Sequence, residues 1–376
     1  MDLHIIALNI PYPPDYGGMI DTFYRIRALH ELGVRIHLHC FEYGRQRSKE
    51  LESLCETTGY YPRNSGLLNH LSEIPYIVKS RKSKILLKNL VNDDYPILFD
   101  GLHSTFYLGH HALSSRRKLV RLHNIEHKYY KNLADNASNL LKKAYFLLES
   151  VKLKRYEKVL EYADYILPIS DCDQNYFENK YHNSIFIAPS HPFSVSKSLP
   201  GTGDYLIYHG DLSVNENSSM ADSLISNVFS KIPYPCIIAG KNPPEFIKKH
   251  ASQYTNIEVI SNPDNDQMER LIINAQINIL PALSDNGFKL KLLMALFAGR
   301  HCLVNPRVLT NSSIKNLCHA ADSDEEMVNK VHLLMKQPFT DEMILERHSV
   351  LSEKFNPEDS AKKLIELVFG DFPSQI

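Results

Sequence analysis

Two lysines stand near the start of a strongly apolar predicted helix within residues 281–299, late in the sequence. A short apolar strand leads into a polar loop there, and a helix is predicted from near Gly287 to Gly299. Free N–H groups and the positive dipole end at such a helix start attract anions, and Lys289 and Lys291 add positive charge. A buried core helix with a polar leading loop would show the same pattern, so both interpretations stay open.

A histidine motif, His-Asn-Ile-Glu-His at residues 123–127, follows a predicted buried strand. An imidazole such as His123 at the end of a strand is placed to stabilise charge or to move protons near neutral pH. His127 and Glu126 could instead form a local pair at a helix start. The His-x-x-x-His spacing lacks a third ligand and the glutamate base of a metalloprotease, so we expect no metal site.

Three further positions fit either ligand binding or an ordinary structural role. Gly17 and Gly18 precede a helix, where bare backbone can approach a phosphate or sugar, or simply form a tight turn. Lys241 follows a glycine that ends a strand and is placed to reach a phosphate, although a solvent-exposed loop lysine is the more common case. Asn217 is predicted to cap a helix, with a ligand contact as the alternative.

The elements that would position these residues alternate between strand and helix, which predicts parallel sheets with helices on both faces. The pattern restarts after residues 189–203, a stretch rich in Pro, Ser and Gly that is typical of a linker. We therefore predict two doubly wound α/β domains, residues 1–195 and 203–355, that face each other across a cleft. A C-terminal helical segment, residues 356–376, is predicted to cross back to the first domain.

Two long regions of the first domain are predicted to be mainly helical, residues 45–92 and 126–162. Basic and aromatic residues interleave within them, at residues 76–88 and 142–156. Such helices could lie on an anionic membrane surface with their apolar face down. They could equally turn an apolar stripe to the core and a basic back to solvent.

Composition excludes several classes of protein. The 376 residues are enough for two domains, and the net charge of −1 argues against a general nucleic-acid binder. No apolar run reaches the roughly 18 residues of a membrane span, and a strand pattern begins at Leu3, so we expect no signal peptide. Six scattered cysteines suggest neither a zinc site nor disulfides, which fits a reducing, cytoplasmic setting. The absence of Gly-x-Gly-x-x-Gly disfavours a nicotinamide dehydrogenase.

Taken together, these positions resemble the GT-B fold glycosyltransferases of the family 4 type, over most of the chain. The resemblance implies a first Rossmann-like domain that binds the acceptor and a second that binds a nucleotide-sugar donor. His123 matches the family histidine that lies near the reacting sugar carbon, which implies a catalytic role. The neighbouring acceptor-binding candidates are Asn124, Glu126 and His127. The positions that match donor-binding segments are Gly17, Gly18, Gly210, Asn217, Lys241, Asn286, Gly287, Phe288 and Lys289.

The sequence departs from the family pattern at three positions. A pair of family glutamates across the helix falls here on Asn286 and Met294. The second glutamate commonly holds the donor ribose, a contact that Met294 cannot make by hydrogen bonding, whereas Asn286 can still bond to sugar hydroxyls. The usual arginine after the first glycine of the second domain is Asp211. Lys241, Lys289 and helix N–H groups would then supply more of the diphosphate binding.

The resemblance implies sugar transfer from a nucleotide-diphosphate sugar to a glycan or lipid-linked acceptor in cell-surface polysaccharide synthesis. It also implies retention at the anomeric carbon, no metal and no cofactor, with the enzyme in the cytoplasm and possible contact with the inner face of the membrane. Two alternatives stay open. One is a non-catalytic binding or scaffold subunit with a degenerate donor site, and the other is a nucleotide-sugar epimerase of the same fold.

Overall fold

The first part of the chain folds into a parallel six-stranded sheet. The computed structural model describes residues 1–137, 139–284, 287–309 and 312–370. The strands of the first sheet are β1 (Asp2–Ala7), β2 (Arg35–Glu42), β3 (Thr57–Pro62), β4 (Ile97–Asp100), β5 (Lys118–Leu122) and β6 (Tyr165–Pro168). Their spatial order is β3-β2-β1-β4-β5-β6, and every neighbouring pair is parallel. Sheets of this order bind ligands at the carboxyl ends of their strands.

Helices cover both faces of this sheet. They are α1 (Gly17–Glu31), α2 (Lys49–Ser53), α3 (Tyr76–Lys79), α4 (Lys84–Leu90), α5 (Glu126–Asp135), α6 (Leu140–Tyr156) and α7 (Asp171–Tyr181). Because successive strand residues point to opposite faces, the strands feed two separate cores. Ile5 of β1 belongs to the core that contains Phe23 of α1. Ile6, the next residue, belongs to the core that contains Leu153 of α6.

The second part of the chain repeats the same architecture. Its strands are β7 (Leu206–Asp211), β8 (Cys236–Lys241), β9 (Ile257–Ser261), β10 (Ile277–Ile279), β11 (His301–Val304) and β12 (His319–Ala320). Its helices are α8 (Asn215–Asn227), α9 (Glu245–Ala251), α10 (Asn265–Asn274), α11 (Leu290–Ala298), α12 (Asp324–Leu334) and α13 (Asp341–Lys354). The parallel strands lie in the order β12-β11-β10-β7-β8-β9. Read from β9 to β12, this is the strand order of the first sheet. The prediction of two doubly wound layers is confirmed.

The chain forms two compact units, and its last helix belongs to the first. The first unit contains residues 1–192 and α14 (Pro357–Phe369), whereas the second contains most of residues 193–356. Leu364 and Ile365 of α14 are buried in the core beside α1, and Arg117 donates a hydrogen bond to the carbonyl of Leu367 at 2.9 Å. Residues 371–376 of the predicted C-terminal segment lie outside the described residues.

Short 3-10 helices complete the described secondary structure. They are Leu67–Leu71, Leu102–Tyr107, His111–Leu113, Glu157–Tyr162, Phe229–Lys231, Pro306–Val308 and Ser312–Leu317. Within the ranges that the structure describes, no helix combines the length and the apolar character needed to cross a membrane.

The predicted elements were wrong in three places. Strand β3 lies inside residues 45–92, which were predicted to be mostly helical. It is an edge strand of Thr, Gly, Tyr and Pro without apolar alternation, and pairing with β2 and burial of Tyr61 stabilise it. Residues 126–162 form two helices, because Asn139 caps a new helix by accepting bonds from the N–H groups of Leu141 and Lys142. The helix predicted near Gly287 begins at Leu290.

A buried chain of hydrogen bonds crosses strands β1, β2 and β3. Nδ1 of His4 lies 2.8 Å from Nε2 of His39, and Nδ1 of His39 lies 2.8 Å from the Tyr61 hydroxyl. Nε2 of His4 lies 3.0 Å from Asp93. Burial, together with the neighbouring His4 and His37, lowers the pKa of His39 to about 3. Both buried imidazoles are therefore neutral at pH 7.

We expect this chain to make the first unit sensitive to acid. The unfolded state binds a proton on each histidine below pH 6.5, whereas buried His39 stays neutral, so stability falls as the pH drops below 6.5 towards 3. Between pH 7.5 and pH 5, His39 alone should lower the free energy of unfolding by about 2 kcal/mol. His39→Gln should remove that part of the pH dependence, measured by urea unfolding at the two pH values.

The matched control is His30→Gln, because His30 is exposed on α1. This variant should keep the acid sensitivity of the parent protein. An unchanged difference between pH 7.5 and pH 5 in His39→Gln would show that the buried histidine chain is not its source.

Candidate functional site

A buried ion-pair network lies at the carboxyl end of β4 and β5 in the first unit. Asp21 of α1 accepts a hydrogen bond from Arg25 at 2.6 Å and two from Arg121 of β5, at 2.9 and 3.1 Å. Arg25 also donates to Asp100, the last residue of β4, at 2.6 Å. All four side chains are at most 3% exposed. Two arginines thus neutralise two aspartates away from water, where unpaired charges would be very costly.

Local structure explains why these groups meet. Asp21 and Arg25 are one helical turn apart and therefore share a face of α1. The hydroxyl of Thr22, between them, donates to Asp100 at 2.5 Å. Arg121 also donates to the carbonyls of Ile187 and Ala188, so the segment after α7 is held at the same centre. Burial alone would raise the pKa of Asp21, but Arg121 and Arg25 outweigh it and hold that pKa well below its usual range.

His123, the predicted catalytic residue, lies against this network. Its Nε2 is 3.0 Å from one carboxylate oxygen of Asp21 and 3.9 Å from Asp100. Since an ionised carboxylate only accepts hydrogen bonds, Nε2 carries the proton in this contact. No hydrogen bond joins the other ring nitrogen, Nδ1, to any of the described residues. The side chain is 11% exposed, so a ligand can reach it.

The same three residues have the spacing of a metal site. Ligand atoms of Asp21, Asp100 and His123 lie within 4.8 Å of one another. However, the guanidinium groups of Arg25 and Arg121 already donate to the carboxylate oxygens that a cation would need. A metal ion would face two fixed positive charges there, so the residues fit a metal poorly and we derive no step through one.

The predicted acceptor residues divide into two groups. Glu126 is buried at the start of α5, and this burial raises its pKa to about 8, although a hydrogen bond from Asn124 opposes the shift. His127 does not pair with Glu126: its Nδ1 lies 3.1 Å from Glu157, which also accepts a hydrogen bond from Lys180. Glu126 is thus a mostly neutral acid at pH 7, whereas His127 is engaged in a structural cluster.

In the second unit, the predicted donor residues lie at the ends of β7 and β8. Gly210 and Asp211 stand opposite Gly240 and Lys241 in the strand register. A Cβ atom on Gly240 would lie 1.9 Å from the carbonyl oxygen of Gly210, so the close approach of the two strands requires glycine there. The side chain of Asp211 turns back and accepts bonds from the N–H and hydroxyl groups of Ser213.

Asn217 does not cap its helix, and this prediction was wrong. Helix α8 begins two residues earlier, after Val214. The Asn217 amide instead donates to the carbonyl of Asp211 at 2.9 Å and accepts from the Lys291 ammonium at 3.1 Å. The side chain therefore connects the loop after β7 to the start of α11.

Two lysines at the start of α11 converge on this loop. Lys289 lies 3.4 Å from the Glu216 carboxylate, which also accepts the Ser284 hydroxyl at 2.9 Å. Among the described residues, the hydrogen-bond partners of Lys291 are neutral: Asn217 and the Tyr208 hydroxyl at 3.4 Å. Its ammonium lies 4.7 Å from the centre of the Tyr208 ring. Burial and the charge of Lys289 lower the pKa of Lys291 to about 7, against the opposing charge of Glu216. An anion bound here would restore the full charge of Lys291.

The remaining predicted residues are placed as follows. Gly17 and Gly18 open α1, one turn before Asp21. Gly287 has a φ of +63°, a left-handed conformation that favours glycine, and Phe288 is the next residue. Asn286 lies outside the described residues. Sequence reasoning missed Asp21, Asp100 and Arg121, although an arginine inside the apolar strand Lys-Leu-Val-Arg-Leu was a usable signal.

Comparison with known proteins identifies the fold. No family model matches the sequence. A relative described as an uncharacterised 44.6 kDa protein in the cps region of Klebsiella pneumoniae is 26% identical, and the match covers 78% of this chain and 79% of the relative. Two solved structures are similar over nearly the whole chain.

The first solved structure is a mutant of TarM from S. aureus in complex with Fondaparinux, alpha-GlcNAc-glycerol and UDP. It has a TM-score of 0.68 at 10% identity and covers 98% of this chain and 99% of its own. The second is WaaG, described as a glycosyltransferase involved in lipopolysaccharide biosynthesis, with a TM-score of 0.66 at 11% identity and coverage of 98% and 100%. The predicted GT-B fold is confirmed.

We expect the ion-pair network to be essential for the stability of the first unit. Arg121→Met would leave Asp21 buried with one of its two arginine partners missing, which should cost about 3–5 kcal/mol of the free energy of unfolding. Urea unfolding measures this loss. The control, Arg27→Met, removes an exposed pair with Glu31 on the same helix and should change stability by less than about 1 kcal/mol. Similar losses in the two variants would contradict the role assigned to the network.

Proposed function

We propose that this protein transfers a sugar from a nucleotide-diphosphate sugar to a glycan or lipid-linked acceptor during cell-surface polysaccharide synthesis. The observation that carries the proposal is the pair of lysines, Lys289 and Lys291, that converges on the carboxyl ends of β7 and β8. The GT-B fold, the UDP bound to TarM and the cps location of the Klebsiella relative support it. Transfer at a cytoplasmic site is part of the same proposal.

The chemistry we propose is electrostatic. The departing diphosphate gains negative charge as the bond to the sugar breaks, and fixed positive groups stabilise that charge. Lys289, Lys291 and the N–H groups at the start of α11 are suited to this task. Retention at the anomeric carbon and independence from metals are further parts of the proposal. His123, held through Nε2 by Asp21, would offer Nδ1 to stabilise charge at the reacting sugar.

A second candidate is a binding or scaffold subunit that has lost the donor site. It is favoured by Met294, a half-buried apolar residue on α11 where the family resemblance leads us to expect a ribose-binding glutamate. Asp211 favours it too, because a carboxylate takes the place of a cation beside the proposed diphosphate site. Nucleotide binding separates the two candidates, and product analysis would separate transfer from epimerisation of the donor.

We expect one nucleotide sugar among UDP-, GDP-, dTDP- and CMP-sugars to raise the melting temperature, because it binds only the folded state. The rise should be larger at pH 6.5 than at pH 8.5, since Lys291 loses its charge above a pKa of about 7. Of the groups facing Lys291, buried His209 has a pKa of about 3 and the pKa of Tyr208 is raised, so both stay neutral over this range. Lys291→Met should weaken binding at pH 6.5 and remove its pH dependence.

The control variant is Lys249→Met, a change on exposed helix α9 of the same unit. It should bind the nucleotide sugar as the parent protein does. No rise with any nucleotide sugar at millimolar concentration would contradict the transferase proposal and favour the scaffold subunit.

We also propose that the first unit contacts an anionic membrane surface. Five leucines are 81–83% exposed: Leu67, Leu68, Leu71, Leu140 and Leu141. We call them the leucine patch. Residues 67–71 lie against α6, because His70 packs edge-on to Tyr145 and its carbonyl accepts a bond from Lys152.

Positive charge lies on the same helix as Leu140 and Leu141 of the leucine patch. Lys142, Lys154 and Arg155 of α6 are exposed, as is typical of helices that lie at a membrane interface. The other basic stretch, residues 76–88, has Ile77, Val78 and Leu86 in the core. These three residues support the core-facing interpretation for that stretch, although Ile85 is 64% exposed. The leucine patch lies on residues 67–71 and on α6.

We expect the full-length protein to sediment with vesicles that contain anionic lipid, and less with neutral vesicles. The double variant Leu140→Glu/Leu141→Glu should lower the bound fraction about tenfold or more. Each change removes apolar area that would be buried in the membrane and adds repulsion from the anionic lipid. The control is Leu345→Glu on α13, which is 69% exposed in the second unit. Equal binding by the double variant and the control would rule out the leucine patch as the contact.

A further inference from the structure

Two arginines of the first unit, Arg63 and Arg81, form a cluster that the proposed transfer does not yet use. Arg81 is only 4% exposed, and it donates from Nε to the carbonyl of Leu8 at 2.8 Å and from Nη1 to the carbonyl of Ile77 at 2.5 Å. Arg63 donates to the hydroxyl of Ser80, the residue next to Arg81, at 3.0 Å. We call these two residues the arginine cluster.

The arginine cluster has no counter-ion in the part of the chain that the structure describes. Among the described residues, no carboxylate lies within 4.0 Å of either guanidinium group. The charge of Arg81 acts on the carboxyl group of Glu126. At pH 7 that carboxyl group is mostly neutral, because burial raises its pKa to about 8. Burial, together with the charge of Arg63, lowers the pKa of Arg81 to about 9. A buried charge without an opposite charge is unfavourable, so an anion from outside the chain would bind strongly here.

The groups around the cluster are those that bind sugars. The Arg63 guanidinium lies 4.3 Å from the centre of the Tyr43 ring and 5.2 Å from that of Tyr76. A second pair of groups is His103 and Glu126. Nδ1 of His103 is buried, has no hydrogen-bond partner among the described residues, and lies 3.9 Å from the Glu126 carboxyl. An imidazole nitrogen and a neutral carboxyl together can accept from and donate to a hydroxyl group.

We propose that the arginine cluster binds an anionic group, phosphate or carboxylate, on the acceptor glycan, while His103 and Glu126 bind a neighbouring sugar hydroxyl. The location fits an acceptor, because Leu8 follows β1, Gly101 precedes His103 after β4, and Glu126 follows β5, all at the carboxyl edge of the first sheet. The inference rests on the proposed function, of which it specifies the acceptor class. A neutral acceptor would leave Arg81 buried without a counter-ion.

The test uses the full-length protein and three small sugars: glucose 1-phosphate, methyl glucuronide and methyl glucoside. Binding is measured by calorimetry or by ligand-observed NMR. The two anionic sugars carry the phosphate and the carboxylate separately, so their relative affinity identifies the source of the charge. At least one should bind about tenfold or more tightly than the neutral glucoside, as expected for a charge-assisted hydrogen bond. Equal binding of all three, or binding of none, overturns the inference.

Variants locate the site. Arg81→Gln should lower the affinity for the anionic sugar about tenfold and leave that for the neutral glucoside unchanged. If Arg81→Gln does not fold, Arg63→Gln decides, because Arg63 is only half-buried. The control, Arg27→Gln, alters an exposed arginine of α1 and should bind as the parent protein does. Unchanged anion binding in the folded arginine variants overturns the inference.

A nucleotide titration in the same samples separates this inference from the donor site. The arginine variants should bind the nucleotide sugar with the affinity of the parent protein. Displacement of glucose 1-phosphate by the nucleotide would show that the arginine cluster belongs to the donor site, which overturns the acceptor assignment. Absence of nucleotide binding in the parent protein, with anionic sugar still bound, would instead count against the proposed donor site alone.

Discussion

The first unit depends on one buried ion-pair network, in which Arg25 and Arg121 neutralise Asp21 and Asp100. These side chains join α1, β4, β5 and the segment after α7, so four chain segments must meet before the whole network forms. Breaking one contact leaves a charge in a medium that solvates it poorly, and the network therefore permits only one arrangement of these segments. It also fixes His123, because the contact between Asp21 and Nε2 sets the orientation of the ring.

Much of the fold follows from the order of apolar segments, since buried parallel strands read as short apolar runs between helices. Strand β3 does not, because its Thr, Gly and Tyr residues form no apolar run and become a strand through pairing with β2 and burial of Tyr61. The site was predictable to a similar extent. His123 stands out by its position after a strand, but its partner Asp21 lies on a helix about a hundred residues away in the chain. Such contacts arise from topology, which local patterns do not contain.

In the second unit, positive charge lies on a different element from the one that the family resemblance leads us to expect. The loop after β7 carries Asp211, whose carboxylate is occupied by Ser213, and Glu216, which pairs with Lys289. Positive charge comes instead from α11, where Lys291 reaches Asn217 across the space between the two elements. A sequence pattern that requires a cation at the position of Asp211 would count this difference as a loss of positive charge. The side-chain distances show that a cation still stands beside the ends of β7 and β8.

In both units, burial makes the charged form of a basic side chain less favourable. Lys291 is held by neutral groups and its pKa falls to about 7, while Arg81 is held by carbonyls and its pKa falls to about 9. In each case the missing counter-charge makes the unliganded side chain less stable, and an anion would reverse that cost. A protein that joins two anionic substrates would gain selectivity from this arrangement, because neutral molecules of similar shape cannot supply the charge that each site lacks.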